Sequence, residues 1–147
     1  ANVAALVADN DLVADASDNF ATRFLLHDAC FRAARPLVSA AVTEFEGQLA
    51  TWKGYQPALP CYRCLFPAPP PPGSVPACSE AGVLGAAAGV MGSLQALEIL
   101  KEITGAGTGL AGRLLTYRAL EAQFRTVRLP PDPGCPLCGA AVAAAAV

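Results

Sequence analysis

The chain has 147 residues, a formal net charge of −2, 15% charged residues and a mean hydropathy of +0.41. A length of this order supports one domain with a sizeable core, and the slightly acidic balance gives no footing for a polyanion such as nucleic acid. The most apolar stretch, residues 81–100, is interrupted by six glycine, serine or glutamine residues and by Glu98, so no membrane span is expected.

The chain opens at Ala1 without an initiator methionine and enters an apolar, helix-like stretch. No basic region precedes an apolar core and cleavage site, so a signal peptide is not indicated, and a piece of a longer cytoplasmic protein is expected. Residues 12–16 form a short apolar run that ends in the polar cluster Ser17-Asp18-Asn19, which reads as a buried parallel strand. A helix is predicted over 19–35, where Phe20, Phe24, Leu25, Ala29 and Phe31 recur near helical spacing and Pro36 marks the stop. Residues 37–42 read as a second strand and residues 48–52 as a third, a strand–helix–strand unit with an added hairpin-like arm.

Residues 66–76 hold four consecutive prolines, Pro69 to Pro72, and are predicted to be a crossover or mobile loop. A helix is predicted over 87–104, with Val90, Leu94, Leu97, Ile99 and Leu100 buried and Glu98, Lys101 and Glu102 facing solvent; Gly105 and Gly107 end it. Residues 113–117 and 123–129 alternate as two antiparallel strands, so the sheet is expected to be mixed and the fold α/β. The alanine-rich residues 140–147 read as a frayed tail without function.

Two Cys-x-x-Cys pairs stand out, Cys61-Tyr62-Arg63-Cys64 and Cys135-Pro136-Leu137-Cys138. Two residues between sulfurs let both thiolates of a pair reach one ion from a tight turn, and two such turns supply the four ligands of a closed structural zinc site. Redox dithiols or disulfides are the competing readings. A redox motif needs only one pair, between a strand and a helix, whereas both pairs here lie in proline-rich sequence.

Two further candidates are single residues. Asp18 follows a strand at a helix amino terminus, where a carboxylate can meet a nucleotide-bound magnesium ion, although local pattern alone favours simple helix capping. Cys78 follows the proline-rich loop and is either a thiolate nucleophile or a small apolar residue. Cys30 reads as a buried apolar residue within its helix, and His27 as a helix residue without a catalytic partner at suitable spacing. Gly82, Gly85, Gly89 and Gly92 lack the preceding strand that a phosphate loop needs.

Taken in order, Asp15-x-Ser17-Asp18-Asn19 with Arg23, Pro60-Cys61-Tyr62-Arg63-Cys64-Leu65-Phe66, Cys78-Ser79-Glu80-Ala81-Gly82-Val83-Leu84-Gly85 and Gly92-Ser93-Leu94-Gln95-Ala96-Leu97-Glu98 resemble the carboxyl-terminal half of the ThiF/MoeB/HesA family. That family is related to ubiquitin-activating enzymes and adenylates the terminal glycine of a ubiquitin-like sulfur-carrier protein. The resemblance implies a Rossmann-like sheet over residues 1–139. It implies that Asp18 and Asn19 belong to an ATP site, with Asp18 positioning magnesium. It also implies structural zinc held by Cys61, Cys64, Cys135 and Cys138, a covalent adduct of the carrier with Cys78 as thioester or persulfide, and a homodimer. The pathway is implied only as far as the molybdopterin and thiamine types.

Nothing in the chain corresponds to the family's glycine-rich nucleotide loop, ribose-binding acid or phosphate-contacting arginine and lysine, so half an active site is expected and the isolated chain is predicted to be inactive. The other reading is a noncatalytic, zinc-stabilised module that binds a ubiquitin-like tail. His27 stands where asparagine is usual in the family, and Ala86 and Ala88 where bulkier residues or proline are common.

Overall fold

The computed structural model describes residues 2–71, 73–74 and 82–139; Cys78 and the tail from residue 140 lie outside them. Helix α1 (Val3–Ala8) leads into β1 (Val13–Asp15), α2 (Phe20–Arg32), β2 (Leu37–Thr43) and β3 (Glu46–Trp52). The short α3 (Tyr62–Leu65) and the long α4 (Gly85–Thr104) precede the hairpin of β4 (Arg113–Arg118) and β5 (Gln123–Arg128). The five strands lie side by side in chain order. β1 runs parallel to β2 and every other neighbouring pair is antiparallel, the expected mixed sheet.

Strand alternation builds two cores from one sheet. Leu37, Ala50 and Trp52 point to one face, where they join Val7, Phe24, Ala29, Cys30 and Tyr62, with Leu114 packed alongside. Val38, Ala40 and Leu49 point to the other and meet Met91 of α4 and Leu110. The result is a sheet between α1–α2 and α4, a three-layer arrangement. Helix α2 starts on the cap of Asn19, whose side chain accepts from the Thr22 amide at 2.8 Å. It ends where Ala34 adopts a positive φ of 52° ahead of Pro36.

The predicted face of α4 is rotated from the observed one. Leu97 and Leu100 are 53% and 56% exposed, whereas Glu98 is 1% exposed. The face against the sheet is Ala87, Met91, Gln95 and Glu98, a helical stripe in which polar groups find partners on the opposite elements. The Gln95 amide donates to the carbonyls of Asp15 at 2.9 Å and Val38 at 3.0 Å. Glu98 accepts from the Thr51 hydroxyl at 3.0 Å and the Leu110 amide, and pairs with Lys101. A buried carboxylate with this many donors is satisfied, so counting apolar residues alone misplaces the buried stripe. Glu102 is likewise drawn inward, by Lys53.

Candidate functional site

β1 spans only three residues, and β2 continues past its end. A cavity of about 540 Å³ opens there. Residues 16–20, Arg23, Ser39 and Gln95 line one part of it, and Trp52, Tyr62 and Phe66 line another. The turn from β1 into α2 is held from below. Asp15, 2% exposed, accepts from the Ser17 amide at 2.9 Å, the Ser17 hydroxyl at 2.7 Å and the Ser39 hydroxyl at 3.3 Å. Arg23 donates to the Ser17 carbonyl, to the Ala40 carbonyl at 2.7 Å and to the Ser39 hydroxyl at 3.1 Å, and its guanidinium lies 3.7 Å from the Asp15 carboxylate.

This network fixes Ser17 on both sides and does not include its neighbour Asp18. Asp18 is exposed on the cavity wall, three residues beyond the strand end, and the contact found for its carboxylate is the Asn19 side-chain amide at 3.4 Å. Since Asn19 is the cap, capping does not occupy Asp18. One exposed carboxylate suits magnesium, which keeps several waters and binds through one or two carboxylates plus phosphate oxygens. Asp15, Arg23, Ser39 and Gln95 had no role assigned from sequence. The usable signal was Asp15, a charged residue inside an otherwise apolar strand, which requires buried partners.

The four paired cysteines come together as expected. Cys61 caps α3 and Cys64 lies within it; Cys135 and Cys138 sit in a turn closed by the Gly139 amide on the Cys135 carbonyl at 3.0 Å. Their sulfurs all lie within 4.8 Å of one another, with Cys61–Cys135 at 3.5 Å, Cys64–Cys138 at 3.3 Å and Cys61–Cys64 at 3.9 Å. Four sulfurs about 2.3 Å from one zinc ion in a tetrahedron stand about 3.8 Å apart, so this set could hold zinc. Three of the four are buried. Burial and then hydrogen bonding to Cys135 and Cys138 push the Cys61 thiol far up, and burial together with Cys64 pushes Cys138 up to about 12. Burial pulls Cys135 upward, but hydrogen bonds from the Cys138 and Leu137 amides and from the Cys61 and Cys138 thiols together outweigh it, and the net direction is down. A divalent cation is the partner that lets such buried thiols become thiolates together.

Gly54 lies against this site. A Cβ there would come within 2.4 Å of the Cys61 Cβ and 2.7 Å of its Cα and N. Because the obstacle includes backbone, Gly54→Ala is expected to displace the first cysteine pair and destabilise the fold by about 1–3 kcal/mol, as overpacking does. A urea unfolding curve with an unchanged midpoint would contradict that expectation.

His27 lies in the core near the cysteines. Burial lowers its pKa to about 4, against a smaller upward pull from Asp28, so it is neutral. Cys30 is 1% exposed, and burial raises its thiol to about 11, which makes it the inert apolar residue expected.

The model of the ThiF family matches residues 1–137. A sulfur carrier protein adenylyltransferase of Thermus thermophilus is 51% identical over 143 residues, covering 94% of this chain and 52% of that protein. The adenylyltransferase and sulfurtransferase MOCS3 of Bos taurus is 52% identical over 135 residues, 91% of this chain and 29% of its own length. The SAMP-activating enzyme E1 of Haloferax volcanii is 49% identical over 138 residues, 94% and 50% respectively. The chain thus spans about half or less of the curated relatives it matches. Among solved structures, E. coli MccB with ATP superposes with a TM-score of 0.70 at 16% identity, over 88% of this chain and 40% of MccB, a likeness of fold. No helix among the described residues is long and apolar enough to cross a membrane.

Proposed function

This chain belongs to the ThiF family, and from that premise we propose that it is the carboxyl-terminal half of an adenylating domain. The whole protein activates the terminal glycine of a ubiquitin-like sulfur carrier with ATP, in the cytoplasm and as a homodimer. The observation that carries the reading is the pairing of about half-identical adenylyltransferase relatives with an exposed Asp18 on the wall of the cavity at the end of β1. Ligands of open α/β sheets bind at the carboxyl ends of strands.

In this reading the carrier's terminal carboxylate attacks the α-phosphorus of ATP and pyrophosphate leaves. Asp18 holds the magnesium that accompanies the phosphates, and that ion supplies charge neutralisation when bound. Asn19 fixes the start of α2, and Asp15 with Arg23 fixes the backbone that aims Asp18. The small Ala40, Ala41 and Ala50 on the cavity wall leave room for a glycine-ended tail. Cys78 lies outside the described residues, and of the two adducts the resemblance implies for it, thioester or persulfide, this reading takes the thioester: its thiolate displaces AMP from the acyl adenylate. Cys61, Cys64, Cys135 and Cys138 hold zinc as a structural clip.

Among the described residues lining the cavity, the one cation is Arg23, and it is engaged by Ser17, Ser39, Ala40 and Asp15. The charges that stabilise a transferring phosphoryl group must therefore come from elsewhere in the whole protein. The isolated 147-residue chain is expected to give no ATP–pyrophosphate exchange with a cognate carrier, while the full-length protein exchanges. Robust exchange by the isolated chain would refute the half-site reading. Absence of exchange by the full-length protein, with carrier binding retained, would favour the noncatalytic binding module.

A further inference from the structure

We infer that His27 and Asp28 are positioning residues that hold the Cys61–Cys64 turn in its metal-binding shape and thereby set how tightly this chain takes zinc. The inference rests on the zinc reading above. It starts from four residues that close a ring between α2 and α3. The Tyr62 backbone amide donates to His27 Nε2 at 3.0 Å. An Nε2 that accepts leaves the ring proton on Nδ1, which faces Asp28 Oδ1 at 3.2 Å. Arg63 then returns to Asp28 with two charge-assisted bonds, Nε to Oδ1 and Nη2 to Oδ2, both 2.8 Å.

Tyr62 and Arg63 are the two residues between the paired cysteines, so the ring grips the loop whose shape determines the sulfur separation. The Tyr62 amide begins a four-residue helix and has no acceptor within it. His27 supplies that acceptor from inside the core, where both residues are buried. Arg63 is fixed further by donating to the Pro67 carbonyl at 3.0 Å and by lying 4.8 Å over the Phe24 ring. The Cys61 and Cys64 sulfurs already stand 3.9 Å apart, near the edge of a thiolate tetrahedron. A turn held at this spacing loses little freedom when the ion binds. The hydrogen bonds of His27 and Asp28 run to residues 62 and 63 and not to sulfur, so their influence on the metal passes through the turn.

The test is competition for zinc between the full-length protein and a chromophoric chelator, with cobalt substitution as a spectroscopic check. His27→Phe keeps a ring of similar size but removes the acceptor; His27→Gln places an amide oxygen near the position of Nε2. Loss of the outer hydrogen-bond partner is expected to weaken zinc binding about 10–100-fold in His27→Phe and to change the thiolate-to-cobalt absorption, while His27→Gln stays within about threefold of the parent. Should His27→Phe fail to fold, Asp28→Asn and Arg63→Lys carry the test, each with an expected weakening of about tenfold. Zinc affinity within about twofold of the parent in His27→Phe, or in both replacements, overturns the inference and leaves the zinc site standing. A parent protein that takes up no zinc overturns both.

Discussion

Asp18→Asn in the full-length protein lowers ATP–pyrophosphate exchange by about 10²–10³-fold, the size of effect seen when one preorganised electrostatic group is lost from a transition state. The substitution keeps the shape of the side chain and removes its charge. It disturbs no structure: Asp18 is exposed, and the polar contact found for its carboxylate is the 3.4 Å approach of Asn19. Stability should therefore change by no more than about 0.5 kcal/mol, as at other open surface positions. Raising magnesium should recover part of the activity if the carboxylate acts through the ion. Exchange within threefold of the parent would remove Asp18 from the proposed chemistry. Asp15→Asn is the instructive contrast, because Asp15 is buried under Arg23 and two serines, and its loss is felt in folding before it is felt in catalysis.

Cys138→Ser or Cys61→Ser is expected to abolish zinc binding and unfold at least the segment after β5. Structural zinc in small sites is worth about 10–16 kcal/mol in apparent binding free energy, comparable with the whole stability of a typical domain, about 5–15 kcal/mol. A bound ion would join α3 to residues 135–138, far apart in the chain. Among the described residues, the other ties of that segment include the Leu129 amide to the Gly112 carbonyl at 2.8 Å and the Asp132 amide to Cys64 Sγ at 3.4 Å. Metal analysis of the purified protein should give about one zinc per chain, falling to none in either variant, with faster proteolysis of the carboxyl-terminal segment. A parent protein that is folded and metal-free would sink the zinc reading.

What the sequence revealed follows from how local each signal is. Strand alternation, the Asn19 start of α2 and the paired cysteines depend on neighbours within a few positions, and all reappear close to where they were expected. The buried face of α4 was missed because Gln95 and Glu98 are buried by partners on distant elements, Asp15, Val38, Thr51 and Leu110. No helical periodicity reports such partners. The same holds for the support beneath Asp18: Arg23 and Ser39 lie 16 residues apart and only the parallel pairing of β1 with β2 brings them to one place. His27, read as an ordinary helix residue, gained a role only when the chain folded Tyr62 onto it.

Helix α2 also has a consequence for what the chain can tolerate. Its first turn is fixed by Asn19 beside Asp18, and its third by His27 and Asp28 against the cysteine turn. Inserting one residue between these points would carry the later pair about 1.5 Å along the axis and about 100° around it, so that neither Tyr62 nor Arg63 could be reached while the first turn stayed in place. The spacing between residue 19 and residues 27–28 is thus fixed by two separate sets of contacts, and an insertion or deletion between them must break one or the other.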